Sequence, residues 1–210
     1  MQGRRRVAIR SERRLFNDVF NIDEVVVAHQ RNDGTMSADE RRLVFERGDA
    51  VAVLLLNVDT HAVVLVEQFR VPSLIGRRRD DPGTNNGWIT EVMAGMIDAD
   101  ETAEQAAIRE TLEETGYKIE NPVLICNFFS SPGGTSERIF LYFATVSDAA
   151  RPGRGGGSGD EDIAIVQIGV AQLFERLAKG LIDDPKLAIA AYWLQSQRHS
   201  LGSLGPPAAQ

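Results

Sequence analysis

Residues 95–117 read GMIDADETAEQAAIRETLEETGY, and the fold is decided by how this stretch is read. Thr102 followed three residues later by Gln105 forms a capping box, in which each side chain satisfies the other residue's backbone N–H. Gly116 supplies the left-handed stop. These signals predict a helix over 103–115. At about 100° per residue, Glu110, Glu113 and Glu114 share an arc of about 100°. One to two turns earlier nearly the same arc holds Ala103, Ala106 and Ala107, with Ile108 and Leu112 opposite. Apolar residues on both sides predict a helix sandwiched between layers, its glutamates aimed into a cleft.

Such an arrangement has a cost. Carboxylates in a last helical turn meet the negative end of the helix dipole, each unfavourable by roughly 0.3–1 kcal/mol. Two of them about 5 Å apart repel by about 3 kcal/mol at an effective dielectric of about 20. On a solvated face most of this is screened, and a solvated acidic face is the plain alternative. In a cleft it demands a counter-charge, and Arg109 alone cannot neutralise three glutamates. Oxygen-only ligands suit Mg2+ or Mn2+ rather than zinc.

The rest of the chain narrows the choices. Its 210 residues make one large domain, or one domain with a small extra lobe. At this length roughly 70% of the unfolded surface is buried, so no disulfide or metal staple is needed for folding. The single Cys126 excludes a disulfide framework and a cysteine zinc site, and His29, His61 and His199 are scattered. The balance of 23 basic and 30 acidic residues, net −7, argues against a general nucleic-acid binder. The basic residues are nearly all arginine, suited to planar capture of phosphate. No apolar run approaches the roughly 18 residues of a membrane span. The first fourteen residues carry six arginines but lack the apolar core of a secretory signal, which leaves an organelle transit peptide open. The expected location is cytoplasmic.

Outward from the helix, β-branched runs and turn signals mark the strands. Residues 21–29 and 41–46, around Asp33-Gly34, form a small antiparallel N-terminal sheet (1–48) that needs something to pack on, such as a partner subunit. A larger domain (49–200) follows, with strands at 50–57, 62–70, 88–93, 122–129, 139–146 and 163–170. Residues 76–87 read as an exposed loop, and RPGRGGGSGDED (151–162) as a mobile glycine-rich loop ending in acids. Helices are expected at 171–179 and 185–197, before a frayed tail at 201–210.

Gly95, five residues, Glu101, seven residues, then Arg109-Glu110-Thr111-Leu112-Glu113-Glu114-Thr115-Gly116 resembles the box of the Nudix hydrolases. Every fixed Gly, Glu and Arg is present; Thr111 stands where an aliphatic residue or alanine is usual. The likeness runs over roughly residues 15–200. Phe45 to Leu54, Glu67-Gln68-Phe69-Arg70 and Ser131 to Arg138 resemble the ADP-ribose and nucleotide-sugar pyrophosphatase branch. Gly155-Gly156-Gly157 with Asp160-Glu161-Asp162-Ile163 is most similar to its GDP-mannose pyrophosphatase members. The resemblance implies an α/β fold, a Nudix α/β/α sandwich around a mixed sheet, plus an N-terminal sheet exchanged across a homodimer.

It also implies a site. Glu110 and Glu114 are the main metal ligands, Glu113 helps directly or through water, and the carbonyl of Ala94 completes the shell. Arg109 orients the glutamates. The general base comes from the acidic loop, as Glu161, also near the metals, or else Asp160; Gly159 stands where relatives often carry a catalytic glutamate. Arg70 contacts the diphosphate or else makes an edge-strand ion pair. Glu91 lines the substrate pocket or else is a strand acid paired with a nearby arginine. Arg138 holds phosphate or sugar, or is a solvated loop charge. Arg77, Arg78 and Arg79 are solvated or paired with Asp80 and Asp81. The implied activity is Mg2+-dependent hydrolysis of a nucleoside diphosphate sugar, with GDP-mannose ahead of ADP-ribose. A non-catalytic nucleotide-binding module would have no need of three clustered glutamates.

Overall fold

The computed structural model describes residues 4–77, 86–157 and 162–197. They form two compact units, one from the residues up to Asp49 with Phe128–Ile139, the other from Ala50–Asn127 with the chain from Phe140 on.

In the first unit β1 (Val7–Asn17), β2 (Asn21–His29) and β3 (Glu40–Glu46) make an antiparallel sheet in that order. The turn at Gly34, with φ of 86°, falls where Asp33-Gly34 indicated. Strand β1 was not foreseen, because its arginines hide any alternation of apolar residues. The ladder shows their use. Arg13 donates to Glu24 at 3.0 Å, and Arg14 grips Asp23 through Nε at 2.8 Å and Nη2 at 2.9 Å. Opposite charges across strands favour pairing, although exposed pairs contribute only about 0–1 kcal/mol each. Phe45 N–H donates to the Gly134 carbonyl at 2.8 Å, which ties the 128–139 segment to β3. The sequence carried no sign of that grouping.

The second unit is a seven-stranded mixed sheet in the order β10-β5-β4-β9-β8, with β6 on β5 and β7 on β4. The strands of this sheet are β4 (Ala50–Asn57), β5 (Ala62–Phe69), β6 (Trp88–Glu91), β7 (Met93–Met96), β8 (Val123–Phe129, its last two residues counted in the first unit), β9 (Arg138–Val146, its first two likewise) and β10 (Ile163–Gly169). Every residue of β4 is buried, as expected of a strand covered on both faces. Val51, Val53, Leu55, Val64 and Val66 meet Ala106 and Ala107 of α2 (Ala103–Thr115) on one face. The alternate residues Ala52, Leu54, Leu56, Val63 and Leu65 are buried on the other, where α3 (Val170–Ala178) and α4 (Pro185–Ser196) pack.

Three expectations need correction. The strand expected over 88–93 is two strands broken at Val92, whose N–H donates to Asp184 Oδ2 at 3.2 Å instead of to a ladder. Gly76 and Arg77 belong to a short helix, α1 (Val71–Arg77), rather than to an exposed loop. Pro72 suits that first turn, where its missing N–H costs nothing. Residues 78–85, with Arg78, Arg79, Asp80 and Asp81, lie outside the described residues, as does the 201–210 tail. Finally, α2 is not apolar-packed on both sides: Leu112 is 41% exposed. Thr111 is fully buried instead, its hydroxyl satisfied by the Ala107 carbonyl at 2.6 Å.

Candidate active site

Helix α2 begins and ends where its caps direct. Thr102 and Gln105 form the reciprocal capping box, and Gly116 sits at φ of 74° with its N–H on the Leu112 carbonyl. This places Glu114 inward, 4% exposed, with Oε2 accepting the Ala94 N–H at 3.3 Å. Glu110 lies against the backbone of β7. A Cβ built on Gly95 would fall 1.9 Å from Glu110 Cδ and 2.2 Å from its Oε1. Gly95 is therefore the ledge that admits this carboxylate. Glu113 stands further out, its side chain 40% exposed.

Arg109 ties the group together. Its Nη1 donates to Glu110 Oε1 at 2.8 Å and to Glu113 Oε2 at 3.3 Å. Its Nε reaches Glu101 Oε2 at 3.1 Å, and Nη2 bonds Glu101 and the Met96 carbonyl. Hydrogen bonding to Glu101 raises the Arg109 pKa further, and the same bond holds the Glu101 carboxyl below the usual carboxylate range. Among the described residues no three Asp, Glu, His or Cys side chains converge closely enough to hold an ion as they stand. One oxygen of each of Glu110, Glu113 and Glu114 accepts from Arg109 or from the Ala94 N–H.

The glycine-rich loop corrects another expectation. From Gly153 to Gly157 it is bonded to the end of α2. Gly156 N–H donates to the Glu114 carbonyl at 2.8 Å, Gly157 N–H to Glu113 at 3.3 Å and Gly153 N–H to Gly116 at 3.2 Å. Arg151 Nε adds a bond to the Thr115 carbonyl at 3.3 Å and stacks over the Tyr117 ring at 5.0 Å. These donors satisfy the terminal carbonyls of a helix whose last turn has no basic residue. They offset the dipole that three nearby glutamates would otherwise face. The loop can lie so close only because Gly155, at φ of 68°, has no side chain: a Cβ there would sit 2.4 Å from the Glu114 carbonyl oxygen. Gly155→Ala is expected to cost about 2 kcal/mol from left-handed strain and collision, lowering Tm by about 4–8 °C in a thermal melt.

Asp160 and Glu161 lie outside the described residues. Their flanks are held at two places. Gly157 is bonded to α2, and Ile163 pairs with Gln68 where β5 runs toward Arg70.

Arg70 stands at the junction of β5 and α1, its carbonyl accepting Ser73 and Leu74 N–H and its own N–H donating to Gly87. Its Nε donates to Glu91 Oε2 at 2.8 Å. Glu91 is 6% exposed, and its other oxygen accepts from Lys186 Nζ at 3.2 Å. Lys186 also bonds Asp184, the N-cap of α4, at 2.8 Å. Burial works to lower the Lys186 pKa, but the charges of Asp184 and Glu91 outweigh it and leave it above the ordinary lysine value. Asp184 and Lys186 went unnoticed in the sequence, although Asp184-Pro185 is a helix-start signature. Arg138 belongs to the N-terminal unit. Its N–H donates to Asp49 at 3.0 Å and its guanidinium lies over the Phe129 ring at 4.5 Å.

The site thus combines a buried Glu114 with a half-buried Glu110 set against a glycine ledge, the latter bonded by an arginine shared among acids. The NUDIX domain family matches residues 46–187, and the chain belongs to the Nudix hydrolases. It is a Nudix pyrophosphohydrolase. It is 33% identical to a GDP-mannose pyrophosphatase of Cronobacter sakazakii over 181 residues, 86% of this chain and 91% of that protein. It is 32% identical to one from Escherichia coli strain SMS-3-5 over 182 residues, 87% and 91% of the two chains. An ADP compounds hydrolase crystal structure shares the fold, with TM-score 0.64 and 18% identity over 96% of this chain and 97% of that one. No described helix is long and apolar enough to cross a membrane.

Proposed function

We propose that this protein hydrolyses nucleoside diphosphate sugars, GDP-mannose foremost, to a nucleoside monophosphate and a sugar 1-phosphate, using Mg2+ with Mn2+ as a substitute. The observation that carries the reading is the pairing of Glu110 against Gly95 with Glu114 against Ala94, in a chain one-third identical to GDP-mannose pyrophosphatases over nine-tenths of their length. The donor set is all hard oxygen, which suits magnesium. Glu110, Glu114 and the Ala94 carbonyl would hold the ion, with Glu113 direct or through water and Glu161 from the acidic loop. Bound there, it would supply Lewis acidity to the phosphate oxygens and make the attacking water more acidic.

The chain's own groups do the rest. Arg109, clamped by Glu101, orients Glu110 and Glu113. Arg70 takes the diphosphate with the outer edge of its guanidinium, Glu91 lines the pocket beside it, and Arg138 holds phosphate or sugar. Glu161, or else Asp160, accepts the proton of water as it adds to one phosphorus and the P–O–P bridge breaks. Two phosphate monoesters leave. The N-terminal sheet supports a homodimer: Val7, Ile9 and Val19 are 64, 64 and 93% exposed on a unit of three strands. The cytoplasm is the proposed location.

The test is hydrolysis of GDP-mannose and ADP-ribose side by side with Mg2+, identifying products by ion-exchange chromatography. GDP-mannose is expected to lead in kcat/KM by about tenfold or more, or ~1.4 kcal/mol in the transition state. A tenfold preference for ADP-ribose, yielding AMP and ribose 5-phosphate, would reverse the assignment. Chelation should abolish both activities.

A further inference from the structure

Four charges of alternating sign run from the core to the surface beside the site. Asp184 is closed to solvent, with a side chain 0% exposed; Lys186 follows at 14%, Glu91 at 8% and Arg70 at 41%. Each touches the next, Asp184 to Lys186 at 2.8 Å, Lys186 to Glu91 at 3.2 Å and Glu91 to Arg70 at 2.8 Å. Asp184 is fixed from three sides, accepting the N–H groups of Lys186, Leu187 and Val92. The inner end of the row is therefore the most tightly bonded, and Arg70 is its most exposed member.

We propose that Lys186 is a positioning residue for diphosphate capture, sharing the charge of Glu91 so that Arg70 can turn its guanidinium to the substrate. The inference rests on the reading of Arg70 as the diphosphate contact. A buried carboxylate with one cation holds it strongly, since the field is poorly screened there. With Lys186 taking one oxygen, Glu91 steers Arg70 through Nε alone, and the remaining donors serve phosphate, the planar anion-gripping role suited to arginine. Without Lys186, Glu91 and a diphosphate compete for the same guanidinium.

The test compares kcat and KM for GDP-mannose, with ADP-ribose in parallel, in the wild type, Lys186→Met, Lys186→Gln, Lys186→Arg, Arg70→Ala and the Arg70→Ala/Lys186→Met double variant. Lys186→Gln removes the charge but leaves a polar N–H donor in the buried row, so the comparison stands even where Lys186→Met does not fold. The expected result is a rise in KM of about tenfold for both neutral variants, with kcat within about twofold. Lys186→Arg restores KM. In the Arg70→Ala background, itself raised in KM, the second substitution adds nothing, because the two act through one guanidinium. A purely structural lysine would lower kcat and Tm at constant KM, or act equally in both backgrounds, and either outcome overturns the proposal. Arg70→Ala with unchanged KM overturns instead the reading of Arg70 on which it rests.

Discussion

Glu114→Gln is expected to remove about 10³-fold of kcat, ~4 kcal/mol of transition-state stabilisation, while leaving the fold standing. Glutamine retains the shape and the acceptor oxygen for the Ala94 N–H and loses only the charge. That charge is nearly closed to solvent, 4% exposed, near the negative end of α2. Burial and the negative end of a helix both work against an anion there. The substitution should therefore change stability by less than about 1 kcal/mol, or about 2–4 °C in Tm. Steady-state turnover with Mg2+ and a thermal melt on the same preparation separate the two effects. Activity within tenfold of wild type would mean that Glu114 is not a metal ligand.

Gly95→Ala produces the second large loss from the smallest possible change. The added methyl carbon would stand 1.9 Å from Glu110 Cδ and 2.3 Å from Oε2. What must yield is the end of a flexible side chain, not backbone, so the fold accommodates it. Alanine in a strand also recovers roughly 0.5–1 kcal/mol of backbone entropy. The displaced group is the proposed metal ligand, and a misplacement of about 1 Å at such a centre costs about 10²-fold. The expectation is kcat/KM down about 10²-fold with Tm essentially unchanged. Full activity in the alanine variant would show that the position of Glu110 against β7 is immaterial to the reaction.

Much of this site could be read before any coordinates. Thr102, Gln105 and Gly116 delimit α2 by local hydrogen bonding, and the helix runs over Ala103–Thr115 as they require. The run 21–29 carries the apolar stretch Val25 to Ala28 and the run 50–57 is apolar up to Leu56, and β2 and β4 occupy those residues. Other features depend on partners far along the chain. The break at Val92 exists because Asp184, 92 residues away, takes its N–H. Thr111 rather than Leu112 lies on the packed face, because the helix's phase against the sheet is set by tertiary packing, and the Thr111 hydroxyl is satisfied there by the Ala107 carbonyl. Strand β1 is paired to β2 from Val7, opposite His29, to Asn17, opposite Asn21, with Arg13 and Arg14 meeting Glu24 and Asp23 across the ladder.

Sequence alone determined the family, the helix that carries the glutamates and the identity of the acids, because caps, periodicity and a spaced motif are all written within a few turns of chain. Tertiary structure decided how those acids are held. It set Glu110 against Gly95, closed the end of α2 with Gly153 to Gly157, and joined Glu91 to Lys186 across 95 residues. Short-range signals reflect backbone hydrogen bonding between neighbours. Charge placement depends on which distant groups share a buried environment, and only the folded chain brings those together.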